Sequence, residues 1–113
     1  MNEIKEDFHI ISILEIEDIR CESINHKKRL KIHYKQDSER LIEPYLYGTD
    51  KKHYSPLLSA YQISGFSFSG KVTDWKLFNI QNINSIKELD EHFQVRTDYN
   101  PGAYDFIKII CKI

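Results

Sequence analysis

The stretch RLKIHYKQDSERLIEPYLY, residues 29–47, decides the fold of this chain. Its first part alternates apolar Leu30, Ile32 and Tyr34 with charged or polar residues, which is the period of a strand with one face in water. A polar turn at 36–38 separates this part from a second apolar run. The two runs together predict an antiparallel β-hairpin.

The second strand of the hairpin, at 39–47, contains Pro44. Because proline has no amide hydrogen to donate to a ladder, we expect it at a sheet edge or a bulge. The chain then predicts, in order, a turn at 48–52, a third strand at 57–63, a Gly/Ser-rich loop at 64–74 and a fourth strand at 75–80.

The segment before the hairpin predicts a helix over residues 10–28. Its isoleucines recur on one side at helical spacing, and it ends in a basic cluster, where the helix dipole favours cations. These isoleucines are Ile13, Ile16, Ile19 and Ile24.

The segments after the fourth strand are open to two interpretations. Over 81–93 a short turn at 81–84 followed by a fifth strand is favoured over a helix that begins near Ser85. After a turn at 100–102, apolar residues recur at helical spacing, which favours a terminal helix, although the β-branched run weakens that preference. These apolar residues are Phe106, Ile109, Ile110 and Ile113.

Length and charge bound the class of protein. The chain has 113 residues, and 16 Lys+Arg against 17 Asp+Glu leave a formal charge of −1. We therefore expect one domain over 1–113, mainly β or α+β, with an N-terminal helix followed by an antiparallel barrel of about five strands. The missing basic excess excludes a domain-wide nucleic-acid surface, so any such binding needs a local patch.

The apolar pattern and the cysteines indicate the cellular context. No apolar run is long enough to cross a membrane, and acids stand near the N-terminus where a signal peptide would be basic. We therefore expect a cytoplasmic protein without membrane contact. Cys21 and Cys111 form no CxxC arrangement, and in a reducing compartment they are expected to be ordinary buried thiols.

Motifs for catalysis and metal binding are absent from the sequence. The histidines lack the spacing that zinc requires, and there is neither a G-x-S-x-G elbow nor a phosphate-binding GxxxxGK[ST] loop. We expect no enzyme activity, no metal and no cofactor. The histidines are His9, His26, His33, His53 and His92.

Two groups of residues are candidates for binding. Lys28, Arg29, Lys31 and Arg40 could form a positive stripe along the wet face of the hairpin, suited to a phosphate backbone. The alternative is a helix end favoured by cations, followed by the solvated side of a strand.

The aromatic residues of the 64–74 loop form the second group. Phe66 and Phe68 could stack on bases or contact a partner, or could fold back over the end of the barrel. Trp75, which follows the loop, is expected in the barrel core or at its rim.

The order of these motifs resembles the WYL domain of bacterial regulators over about residues 15–93. Residues 94–113 are similar to the C-terminal extension of compact, single-domain members. The matching residues are Ile32 and Tyr34 in the first strand, Arg40, Ile42, Glu43, Pro44 and Tyr45 in the second, Leu58, Ala60 and Tyr61 in the third, and Phe78, Ile80 and Ile83 after it.

The resemblance implies an Sm-like or SH3-like barrel that senses a ligand and does not catalyse, in transcription regulation and phage defence. It also implies a groove on strands three and four that binds a nucleotide or single-stranded nucleic acid, with Tyr61, Lys76, Asn79 and Asn82 nearest the ligand. Asn79 and Asn82 stand where the family has arginines. Since asparagine carries no charge, the anion site is either lost or converted into a polar one.

Two functions are therefore expected from the sequence. The first is binding of a nucleotide or single-stranded nucleic acid on the strand-three and strand-four face. The alternative is a protein-interaction module that docks a partner protein or a second copy through a strand edge or the Phe66/Phe68 loop. A helix-turn-helix does not fit before the first strand, so regulation of transcription would require a partner.

Overall fold

The computed structural model describes residues 21–35 and 38–113. Within these residues no helix is long and apolar enough to cross a membrane. The elements are a helix at 21–26, followed by β1 (Lys28–Tyr34), β2 (Ser38–Asp50), β3 (Leu57–Gly65), β4 (Asp74–Asn79), a 3-10 helix (Ile80–Asn82), β5 (Ile83–His92) and β6 (Phe106–Lys112).

All six strands belong to one antiparallel sheet, in the order β4-β3-β2-β1-β5, with β6 also paired to β2. The predicted hairpin is confirmed, since Leu30 lies opposite Ile42 and Ile32 lies opposite Arg40. The third and fourth strands are confirmed, and so is a short turn followed by a strand over 81–93. Over the described residues the sheet remains open, so the predicted barrel is not confirmed.

β2 is longer than predicted and has three partners. Its first half pairs with β1, its second half pairs with β6, and β3 runs along its other edge. A register shift between Pro44 and Leu46 confirms the expectation of a bulge at the proline. The bulge coincides with the point on the other edge of β2 where pairing with β1 ends, at Ile42, and pairing with β6 begins, at Leu46.

The second half of β2 occupies part of the turn that was predicted at 48–52. Gly48 lies in the strand, and a Cβ atom there would be 2.4 Å from the carbonyl oxygen of Lys108 in β6. The glycine therefore belongs to a close approach of two strands and not to a turn. The turn begins only after Asp50.

The predicted terminal helix was wrong, because residues 106–112 form β6. β-branched isoleucines fit a pleated strand, and the second half of β2 offers them an edge for pairing. Ile107 and Ile109 are exposed, whereas the helical pattern would have buried Ile109.

The core lies on one face of the sheet. It is formed by apolar residues of the helix and of β1 to β5, and residues of β6 pack against it. The buried members are Ile24, Leu30, Ile32, Tyr34, Ile42, Tyr47, Leu58, Ala60, Phe78, Ile80 and Ile83.

The predicted helix over 10–28 is described only from residue 21. It ends at residue 26, Lys27 forms a turn with φ of 56°, and β1 begins at Lys28. The basic cluster therefore lies in the turn and the strand. Residues 10–20 of this prediction lie outside the described residues.

A disulfide joins Cys21 to Cys111 and links the helix to β6. The prediction of two ordinary thiols was wrong, because a sequence separation of 90 residues gives no sign that the two side chains meet. Disulfides are typical of oxidising compartments. The disulfide therefore lends no support to the cytoplasmic location, which stays a prediction.

Reduction of the disulfide is expected to destabilise the chain by roughly 4–5 kcal/mol, because the closed loop is long and its opening restores entropy to the unfolded chain. Urea unfolding with and without a thiol reductant measures the loss. The Cys21→Ser/Cys111→Ser variant should match the reduced protein and show no response to reductant. Equal stability of oxidised and reduced wild type would contradict the linkage.

Candidate functional site

A cleft of about 770 Å³ lies where the start of β2 meets the β3–β4 connection. We call it the aromatic cleft. Its walls combine charged groups, two phenylalanine rings and three side-chain amides from separate parts of the chain. The lining residues are Lys35, Ser38, Glu39, Phe66, Phe68, Gln81, Asn82 and Asn84.

The β3–β4 connection is held at both of its ends. Gly65 has φ of 115°, and a Cβ atom there would be 2.3 Å from the carbonyl oxygen of Glu39, so only glycine lets the chain pass this close to β2. From β4, at the other end, Lys76 reaches back to the loop: its Nζ donates to Ser67 Oγ at 2.8 Å and to the Lys71 carbonyl at 2.7 Å. The loop therefore has a defined position over the start of β2.

The two phenylalanines of this loop are exposed, Phe66 by 50% and Phe68 by 68%. Their rings contact each other edge to face, with 4.7 Å between centroids. Lys35 Nζ lies 4.9 Å from the centre of the Phe68 ring. The rings thus present apolar surface to solvent instead of folding into the core.

Arg40 lies under these rings and is only 4% exposed. Its Nε donates to Ser38 Oγ at 3.0 Å, and its Nη1 donates to Gln62 Oε1 at 3.4 Å. Among the described residues its Nη2 has no hydrogen-bond partner, and no carboxylate there forms an ion pair with it. A buried charge without a counter-charge is costly, so this guanidinium is an unusual feature of the molecule.

Aromatic rings surround the Arg40 guanidinium. Its central carbon lies 5.0 Å from the ring centre of Tyr34, 5.6 Å from Phe78, 5.7 Å from Phe68 and 5.9 Å from Phe66. Cation–π attraction offsets part of the desolvation cost. Burial lowers the pKa of Arg40, which Tyr34 partly counteracts, and the side chain stays protonated at physiological pH.

The amide rim of the cleft is built on the 3-10 helix and the start of β5. Asn79 accepts from the Gln81 amide at 2.9 Å and so caps the 3-10 helix. The Asn82 carbonyl accepts from the Lys35 amide at 2.6 Å, and Asn84 Nδ2 donates to the Lys35 carbonyl. These bonds hold the rim against the end of β1.

The four predicted ligand residues do not meet at one site. Tyr61 lies opposite Trp75, whereas Lys76 lies opposite Ala60, so Tyr61 and Lys76 point to different faces of the sheet. Asn82 lines the aromatic cleft, while Lys76 supports its loop and Asn79 caps the adjacent 3-10 helix.

The four residues of the predicted basic stripe are also separated. Arg29 forms ion pairs with Glu43 and Glu91, and Lys31 forms one with Glu39. Arg40 is buried on the core face with Ile32, its ladder partner, and Lys28 is half-buried at the start of β1. No continuous positive track results among these four.

The face that carries Tyr61 is occupied by the chain itself. Glu43, 1% exposed, pairs with Arg29 at 3.1 Å and with Arg96 at 2.8 Å. The Arg96 guanidinium lies 3.8 Å from the centre of the Tyr61 ring. The segment after β5 thereby covers the strand-three side of the groove that the resemblance implied.

An aromatic cluster continues this covered face. Tyr45 contacts Trp75, Phe93 and Tyr99 with ring centres 4.8, 5.2 and 4.7 Å apart. Trp75 Nε1 donates to Asp98 Oδ2 at 3.0 Å, and Trp75 is half-buried, in line with a position at a rim. Sequence reasoning missed this cluster, because the residues after β5 show no periodic pattern.

Comparisons with protein-family models, with curated proteins and with solved structures found no match for this chain. In the part of the chain that the structure describes, no group of three or more His, Cys, Asp or Glu side chains could hold a metal ion.

Glu43→Gln is expected to lower the free energy of unfolding by roughly 1.5–3 kcal/mol, since it removes the charge from a buried carboxylate that accepts hydrogen bonds from two partly exposed arginines. Glu39→Gln is the matched control: its exposed ion pair with Lys31 should contribute less than about 1 kcal/mol. Urea denaturation of both variants gives the two values. A loss for Glu43→Gln as small as that for Glu39→Gln would show that the Glu43 ion pairs do not stabilise the fold.

Proposed function

We propose that this chain is a non-enzymatic ligand-binding module that takes up a nucleotide or a short single-stranded nucleic acid in the aromatic cleft. The observation that carries the proposal is Arg40: a guanidinium 4% exposed, with Nη2 unpaired among the described residues, beneath two exposed phenylalanines. The proposed site differs from the groove of strands three and four.

The chemistry of the cleft suits such a ligand in three ways. A phosphate that displaces the two phenylalanine rings would supply the negative charge that the buried Arg40 lacks, through strong charge-assisted hydrogen bonds. Exposed rings such as Phe68 provide stacking surfaces that accept any base. The side-chain amides of Gln81, Asn82 and Asn84 can hydrogen-bond base edges.

The resemblance to WYL domains supports the same class of ligand. Asn79 and Asn82 stand where WYL domains have arginines, whereas Arg40, which matches the family pattern in β2, keeps its guanidinium and in our proposal holds the phosphate. A role in ligand sensing for bacterial transcription regulation or phage defence follows from this resemblance and is part of the proposal.

Arg40→Met should weaken binding of a fluorescent nucleotide or a short labelled oligonucleotide at least tenfold, since it removes the buried positive charge while keeping side-chain bulk. Fluorescence anisotropy measures this change. The matched control is Lys108→Met, which removes an exposed cation of β6 that does not line the cleft and should leave affinity within about twofold.

The Arg40→Met protein should still fold, because removal of an incompletely paired buried charge offsets the loss of its hydrogen bonds to Ser38 and Gln62. A folded Arg40→Met protein that binds as tightly as wild type would contradict the proposal. The proposal would also be contradicted if the wild-type protein bound no nucleotide at concentrations up to millimolar.

Phe68→Ala should weaken binding of the same probes roughly 5- to 150-fold, the range expected for one lost base-stacking contact. Tyr54→Ala is the control, since Tyr54 is a fully exposed aromatic residue that does not line the cleft. Circular dichroism melting should be nearly unchanged in both variants. Equal effects of the two substitutions on affinity would argue against stacking in the cleft.

The alternative is a protein-interaction module, which the exposure of Phe66 and Phe68 favours. Docking of a protein on these rings would need their apolar surface but not the buried charge below them. Binding of a partner that Phe68→Ala abolishes and Arg40→Met leaves intact would favour this alternative over nucleotide binding.

A further inference from the structure

We infer that the aromatic cleft recognises a terminal phosphate, at the end of an oligonucleotide or on a mononucleotide, in preference to an internal phosphodiester. This inference rests on the proposed function and deepens it, because it names the group that Arg40 would hold. It follows from the depth of Arg40, from the number of free donors and from the count of available cations.

Depth limits what can reach Arg40. The guanidinium carbon lies 5.0 to 5.9 Å from the ring centres of two core residues, Tyr34 and Phe78, and of the exposed Phe66 and Phe68. Arg40 does not itself line the cleft, and its Nη2 has almost no exposed surface. A ligand group in the cleft must therefore displace the rings of Phe66 and Phe68 to reach Nη2. A terminal phosphate can enter end-on, whereas an internal phosphodiester would carry a sugar on each side into the same space.

The donors of Arg40 that lack a partner also suit a single phosphate group. Nε and Nη1 are engaged by Ser38 and Gln62, which leaves the Nη2 amino group for a ligand. A terminal phosphate presents three non-bridging oxygens, so at least one can face this amino group in almost any rotation. An internal phosphodiester presents only two.

The cations near the cleft match the charge of one terminal phosphate. Such a group carries close to two negative charges at neutral pH. Lys35 Nζ, beside Phe68, is the second cation on the same side. Other nearby cations are engaged: Lys31 with Glu39, and Lys76 with the loop carbonyl and hydroxyls.

The rest of the nucleotide would then follow the cleft outward. With the phosphate at Arg40 and Lys35, a base can stack on Phe68 and approach the amides of Asn82 and Gln81. The cleft volume of about 770 Å³ has room for one nucleotide. This orientation leaves the remainder of an oligonucleotide in solvent, where it adds few contacts.

The test compares three forms of one short single-stranded DNA, labelled at an internal base: a 5′-phosphate, a 3′-phosphate and a form with both ends hydroxyl. Fluorescence anisotropy with wild-type protein should give at least tenfold tighter binding for one of the phosphorylated forms. Arg40→Met should abolish this preference and Lys35→Met should reduce it, while Lys108→Met should leave it unchanged.

The outcomes separate this inference from the proposed function. If the hydroxyl form binds as tightly as the phosphorylated forms and Arg40→Met weakens all three, the cleft binds nucleic acid but the terminal-phosphate inference is overturned. If none of the three DNAs, nor a nucleoside monophosphate in a competition assay, binds wild type, the proposed function itself fails.

Discussion

The described structure depends on the hydrogen-bonded ladders of β2. This strand pairs with β3 along one edge and with β1 and then β6 along the other, and the bulge in the β2–β3 ladder after Pro44 lies where β1 gives way to β6. The length of β2, residues 38–50, leaves room for both neighbours along that edge. A single strand thus holds both the N-terminal hairpin and the C-terminal strand.

The alternation of β2 also decides the fate of two charged residues that lie three positions apart. Arg40 faces the core and Glu43 faces the opposite side, and both are almost fully buried. Glu43 is satisfied by Arg29 and Arg96. Arg40 instead has neutral hydrogen-bond acceptors and aromatic rings, with one amino group left over among the described residues.

This difference separates a structural charge from a candidate binding charge. The Glu43 network ties β1 and β2 to the segment after β5, and its charges are complete without a ligand. Arg40 has the opposite character, because its environment excludes water yet supplies no anion among the described residues. Local periodicity predicts that both residues lie in a strand, but it does not show which of them acquires a partner.

The central strands could be predicted because their pattern is local. Alternating residues such as Leu30 and Ile32 specify a strand by their own spacing, and Pro44 marks its bulge through its missing amide hydrogen. The tail could not be predicted this way, since its isoleucines fit a helical spacing and become a strand only beside β2. For the site, the sequence identified Arg40, Asn82, Phe66 and Phe68 as candidates but assigned them to three different surfaces.

The sequence by itself therefore determined the hairpin, the order of the next strands and the residue types available for binding. Tertiary structure alone decided the strand at 106–112, the disulfide across 90 residues and the meeting of Arg40 with Phe66 and Phe68. The physical reason is range: side-chain alternation acts between neighbours along the chain. Strand pairing, burial and charge compensation instead depend on residues that meet only after the chain has folded.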